Sequence, residues 1–218
     1  YIKKHMDGVI FAGEVDIRVI EEFRKQSIPV VLVNNYLDMD GLVCISADHY
    51  GGAVQATEYL CKLGHCKIGL LSGRFSPQVS EARIEGFVKT LAKYDIPVDD
   101  RFIADIEPAL EDGEEIMTRM LREVDRPTAF FCTNDTIAAG AMKAVTRAGL
   151  RVPEDIAIIG FDDSYISRVV EPELTTVRID AAKMGCLAMQ TLFDLIAGMP
   201  VEKAHIQIPT ELIVRGTA

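Results

Sequence analysis

The stretch Pro127–Asp163, PTAFFCTNDTIAAGAMKAVTRAGLRVPEDIAIIGFDD, decides the fold. It opens on an apolar run, Ala129–Thr133 (AFFCT), and closes on another, Ile156–Gly160 (IAIIG). Each has the length of a strand buried on both faces. Between them Ile137, Ala141, Val145 and Ala148 recur along one side of a helix. Gly149 follows, where a helix end favours a residue free to adopt positive φ. Asp135, just ahead of Ile137, reads as the helix cap.

Working outward, the same alternation continues. Strands are predicted at Gly8–Ala12, Val30–Val33, Leu42–Ser46 and Lys67–Ser72. Ala53, Ala56, Leu60 and Leu63 make one helix face, ended by Gly64; Met184, Ala188, Leu192 and Leu195 make another, stopped by Gly198 and Pro200. Strand and helix in alternation predict an α/β chain of parallel sheets with helices on both faces. Polar residues then collect after the strands: Asn34 and Asn35, Ser72 to Arg74, Thr133 to Asp135, and Asp162 with Asp163. Open α/β sheets bind ligands at these carboxyl ends. Turns and caps use the same residue types, so pattern alone leaves both roles open for Asn134 and Asp162.

Composition narrows the class. The 218 residues are 49% hydrophobic and carry a net charge of −10, which repels phosphate backbones; Lys3 and Lys4 are too few to offset it. No apolar run reaches the length of a membrane span, and Tyr1 opens no signal-peptide pattern. Cys44, Cys61, Cys66, Cys132 and Cys186 form no disulfide framework, which favours the cytoplasm. Phosphate-loop, dinucleotide, nucleophile-elbow and H-E-x-x-H motifs are absent. Cys61, His65 and Cys66 lack the second ligand pair of a structural zinc site, so neither metal nor cofactor is expected. Adjacent acids such as Asp162 and Asp163 diverge from a turn and do not make an acid–base pair, so no enzyme is expected.

Several segments carry a resemblance. Ala56–Gly73 (ATEYLCKLGHCKIGLLSG), ARIEGF at Ala82–Phe87, the Pro127–Asp163 stretch, PELTTVRID at Pro172–Asp180 and IPTELIVRGT at Ile208–Thr217 resemble the sensor domain of the lactose/galactose repressor (LacI/GalR) family, in register over essentially the whole chain. The resemblance implies a type I periplasmic-binding-protein-like fold. Two doubly wound parallel-sheet lobes, 1–64 with 180–205 and 65–179 with 206–218, would clamp a small effector, a sugar or related polyol. It further implies a cytoplasmic homodimer that controls operator DNA through a helix-turn-helix head. That head has no counterpart here, and DGVIFAG resembles the family's third strand. The first lobe is therefore expected either to be incomplete, a three-stranded remnant with Gly8–Ala12 at an open edge, or to have the gap filled by a symmetry-related or swapped chain.

Carried over by position, Arg83 (of R-x-x-G-F), Asn134 (of T-N-D) and Asp162 (the first Asp after G-F) are the implied effector contacts. Arg83 offers a rigid fork of donors, Asp162 accepts from hydroxyls, and Asn134 does both. A salt bridge from Arg83 to Glu81 or Asp162 is the competing explanation of that arginine. Phe75 and Leu110 are the implied apolar wall; Tyr50 and His49 are further candidates, and Phe161 reads as core. The implied dimer surface holds Met142, Val169 and Val170. Three other readings are a solute-binding protein of a transporter, a sugar- or nucleoside-acting enzyme, and a regulator whose signal is a partner protein rather than a metabolite. The cysteines and the LGHCKIGLLSG segment speak against the first, the missing motifs against the second.

Overall fold

The computed structural model describes residues 6–35, 37, 39, 41–201 and 204–218; Lys3 and Lys4 lie outside them. The chain runs β1 (Val9–Ala12), α1 (Ile17–Lys25), β2 (Val30–Val33), β3 (Val43–Ala47), α2 (His49–Lys62), β4 (Ile68–Gly73) and α3 (Pro77–Lys93). It continues through β5 (Ile103–Ile106), α4 (Leu110–Met120), β6 (Ala129–Cys132), α5 (Asp135–Arg147), β7 (Ala157–Asp162) and β8 (Thr175–Arg178). Helix α6 (Ala181–Ile196), β9 (His205–Ile208) and β10 (Glu211–Ile213) complete it.

Two compact units result: residues 1–48 with 180–209, and residues 49–179 with 210–218. The split differs from the 64/65 and 205/206 boundaries drawn from the resemblance. Helix α2 packs on α3 and so goes with the second unit, whereas β9 pairs with β3 and goes with the first.

The first unit is a parallel sheet in the order β1-β2-β3-β9. It has four strands among the described residues, not the expected three; β9 supplies the fourth. Among the described residues β1 stands at one end of this order, paired with β2. Ile20 and Phe23 of α1 pack with Val30, Leu32 and Cys44, and Phe23 meets Phe11 edge-on at 5.6 Å. Ile17, the third residue of that apolar face, is exposed. Met184, Ala188 and Leu192 of α6 are buried, as their spacing predicts.

The second unit is a sheet in the order β10-β8-β7-β6-β4-β5, parallel except for β10. Side chains alternate across it, so both faces need cover. Ala129 and Phe131 pack with Ala53, Ala56 and Leu60 of α2 and Phe87 and Leu91 of α3. Phe130 and Cys132 pack with Ile116 and Met117 of α4 and Ile137, Ala141 and Val145 of α5. Leu63 and Ala148, the last positions of two predicted helix faces, are exposed because each helix has ended before them. Met142 is buried in the α4–α5 core and is unavailable as a dimer surface; Val169 is exposed, and Val170 is half-buried against the core.

Candidate functional site

Strands β4, β6 and β7 lie side by side and parallel, so their carboxyl ends share one edge of the sheet. The backbone N–H of Gly73 donates to Thr133 Oγ1 at 2.8 Å, tying the end of β4 to the end of β6. Beyond β6 the chain turns directly into α5, and the cap is Asn134, not Asp135. Asn134 Oδ1 accepts from the N–H groups of Thr136 (2.8 Å) and Ile137 (3.2 Å). The helix begins one residue earlier than its apolar spacing suggests, which puts Asp135 inside its first turn. At the end of β7, Asp162 has φ of 111° and Asp163 has φ of 52°. Non-glycine residues seldom hold positive φ, and two in succession mark a loop held by its surroundings.

Arg83 of α3 enters this edge from one side and is 3% exposed. Its Nη1 donates to the carbonyl of Thr133. Its Nη2 donates to Asp162 Oδ1 at 3.3 Å and meets His49 Nδ1 at 3.2 Å. The guanidinium carbon lies 3.9 Å from the Phe161 ring centre and 4.9 Å from that of Phe75. A buried cation is tolerable only with such partners, and the two ring faces add electrostatic attraction.

Asn134 joins the network from the opposite side, its Nδ2 donating to Asp162 Oδ2 at 2.8 Å. Asp162 therefore receives a cation on one oxygen and an amide on the other. Its side chain is 29% exposed where that of Arg83 is 4%, so within this ion pair the carboxylate is the member open to an incoming molecule. Burial pushes the Asp162 carboxyl up, against the pull of Arg83 and Asn134. Burial, then the charge of Arg83, hold His49 down at about 3, a neutral ring.

Two further aspartates fix the loop behind the site. Asp135 is fully buried, accepting from Thr176 Oγ1 at 2.5 Å and from the N–H of Ser164 at 2.6 Å. Burial raises its carboxyl to about 6 despite those bonds. Asp163 takes Arg215 at 2.5 Å, Arg178 at 2.7 Å and Ser167 at 3.1 Å. Burial would raise Asp163, but the bonds from Arg215 and Arg178 outweigh it and bring the carboxyl to about 2.

Of the residues singled out in the sequence, Arg83, Asn134, Asp162 and Phe75 come together. The salt bridge named as the competing explanation of Arg83 also forms, with Asp162. Phe161 is core, as read, but doubles as the floor under the guanidinium. Leu110 opens α4, where its carbonyl packs on Gly140 of α5. Tyr50 lies beside Lys89 of α3, 5.8 Å from the ammonium. Its neighbour His49 is the residue that reaches Arg83. That difference follows from helix geometry, since successive residues at the start of α2 point about 100° apart. Among the described residues no group of three or more His, Cys, Asp or Glu is placed to hold a metal ion. No described helix is long and apolar enough to cross a membrane.

A family profile described as "Periplasmic binding protein-like domain" matches residues 57–218. The chain is 35% identical over 211 residues to the probable HTH-type transcriptional repressor ExuR of Bacillus subtilis, covering 96% of this chain and 63% of that protein. It thus spans less than two thirds of that curated relative's length. Among solved structures it superposes on a regulatory protein of the LacI family from Chloroflexus aggregans with a TM-score of 0.89, at 31% identity over 97% of this chain and 76% of the other. A LacI family transcriptional regulator from Enterococcus faecium, solved with bound ribose, matches with a TM-score of 0.87 at 27% identity, over 97% and 79%.

Proposed function

The chain belongs to the LacI family of transcriptional regulators, with their periplasmic-binding-protein-like effector domain, and from that premise we propose that it is the effector-sensing part of a DNA-binding repressor. Its effector is a small polyhydroxylated molecule, a sugar or related polyol. The observation that carries this reading is the arrangement around Asp162: an accessible carboxylate, oriented on one side by Arg83 and on the other by Asn134, at the carboxyl ends of parallel strands. A carboxylate fixed in this way accepts from two neighbouring hydroxyls, the donor pattern of a sugar. The ribose bound by the Enterococcus faecium regulator supports the same chemistry. Phe75, already over the Arg83 fork, offers an apolar face for the ring.

Operator DNA is read by a separate helix-turn-helix head, and the repressor works in the cytoplasm as a homodimer. Val169, exposed after β7, is the residue of the expected dimer surface that is open to such a pairing. The test of the effector class is a thermal-shift panel of sugars, sugar phosphates and nucleobases on the full-length protein, because a ligand selective for the folded state raises its Tm. A selective shift with one neutral sugar supports the reading. A shift confined to nucleobases, or none with any sugar, overturns it.

A further inference from the structure

We propose that His49 is a positioning residue of this site: from the first turn of α2 it accepts from the outer edge of the Arg83 guanidinium and fixes the direction in which that fork meets Asp162. The proposal rests on the reading that Arg83 and Asp162 receive the effector.

The contact is two-pronged. His49 Nδ1 lies 3.2 Å from Arg83 Nη2 and 3.4 Å from Nε, so one acceptor sits between the two donors of one guanidinium edge. Nη1, on the other side, is held by the Thr133 carbonyl. A planar group held at both edges and between two rings has little rotational freedom left. A carboxylate would take the same edge more strongly, but it would add a second negative charge beside Asp162. The imidazole takes it as an uncharged acceptor, so the ion pair of Arg83 with Asp162 is undisturbed. Burial and the neighbouring guanidinium both disfavour the imidazolium. Among the described contacts the charged groups on this side are Arg83 from α3 and, beyond it, Asp162 from β7; the ring also lies 6.0 Å from Phe161.

The packing that brings His49 within reach lies one turn further along α3. A Cβ on Gly86 would stand 2.7 Å from the carbonyl oxygen of Tyr50 and 2.8 Å from the Cβ of Ala53. Only glycine at that point lets the start of α2 come down onto α3. The 3% exposure of His49 follows from that closeness.

The test needs no effector. In full-length protein labelled with [15N]histidine, long-range 1H–15N spectra report the tautomer of His49 between pH 5 and 8. The proton is expected on Nε2 throughout, with Nδ1 bare and its signal displaced in Arg83→Lys. In parallel, [15N]arginine labelling reads the exchange of Arg83 Nε–H with water. It is expected to be about ten-fold faster in His49→Leu than in the parent, and restored in His49→Asn, whose Oδ1 lies near the place of Nδ1. An Nδ1–H tautomer, an imidazolium at pH 6 or above, or equal exchange in the parent and the leucine variant overturns the proposal. Should the leucine variant fail to fold, the tautomer of the parent still decides. A sugar panel without a hit counts against the effector reading and leaves this result standing.

Discussion

Asn134 and Asp162 are joined by a 2.8 Å hydrogen bond in which the asparagine spends only its amide, because its carbonyl oxygen is already capping α5. One side chain therefore starts a helix and orients the carboxylate next to it. Substitutions that keep one half of this role and lose the other separate the two. Asn134→Ala is expected to lower stability by about 1 kcal/mol through the cap. Asn134→Asp keeps the cap acceptor but sets two carboxylates side by side, so between pH 5 and pH 7 it should lose more stability than the parent does. Chemical denaturation of parent and variants at the two pH values distinguishes them; an aspartate variant with the parent's pH dependence contradicts the contact.

Asp135 should impose a pH dependence of its own. Its carboxyl is raised to about 6 in the folded protein, from 3.8, so between those values the native state binds the proton that the unfolded state has released. Stability is therefore highest below about pH 4 for this group, and falls as pH rises toward 6, by about 3 kcal/mol at most. Asp163 acts in the opposite sense and in a lower window. Held at about 2, it stabilises above pH 4, and that contribution disappears as pH falls toward 2. Asp135→Asn should remove the loss between pH 4 and 6 and leave the acid limb intact, as read from denaturant midpoints across pH.

Close packing of α4 on α5 predicts a sharp contrast between two glycines. A Cβ on Gly140 would lie 2.1 Å from the carbonyl oxygen of Leu110, a backbone atom that cannot swing away. Gly140→Ala is expected to cost about 2 kcal/mol or more, since overpacking must move a helix. Gly185, in α6 with nothing within 4 Å of its added Cβ, should gain about 0.5–1 kcal/mol on the same change. Thermal unfolding of the two variants checks both signs.

At net charge −10 the 218-residue chain should leave duplex DNA unshifted in a gel at low salt, where charge attraction is least screened. A retarded band would show a DNA-binding surface in these residues.

The parts of this fold legible in the sequence are those where both sheet faces are buried. Ala129–Cys132 and Ala157–Asp162 read as strands because nearly every side chain in them is apolar and covered. By contrast β5 (IADI) and β9 (HIQI) are four residues each, with exposed polar positions, and their strand character comes from the neighbours they pair with. The site divides in the same way. Arg83, Asn134 and Asp162 stand in motif positions, so their convergence was recoverable through the resemblance. The contact between His49 and Arg83 was not, because it depends on how closely α2 approaches α3 at Gly86, a matter of packing with no periodic signature. The cap went to Asn134 rather than Asp135 because β6 stops at Cys132 and the helix starts at once.

In the proposed reading Asp162 is the effector's principal acceptor. Isothermal titration of the sugar selected by the thermal-shift panel into full-length protein and into Asp162→Ala tests it most directly. Loss of a partly buried charged acceptor is expected to weaken binding by about 2–4 kcal/mol, roughly 30- to 1,000-fold in Kd. An Asp162→Ala protein that remains folded and titrates with the parent's Kd would show that Asp162 does not hold the effector.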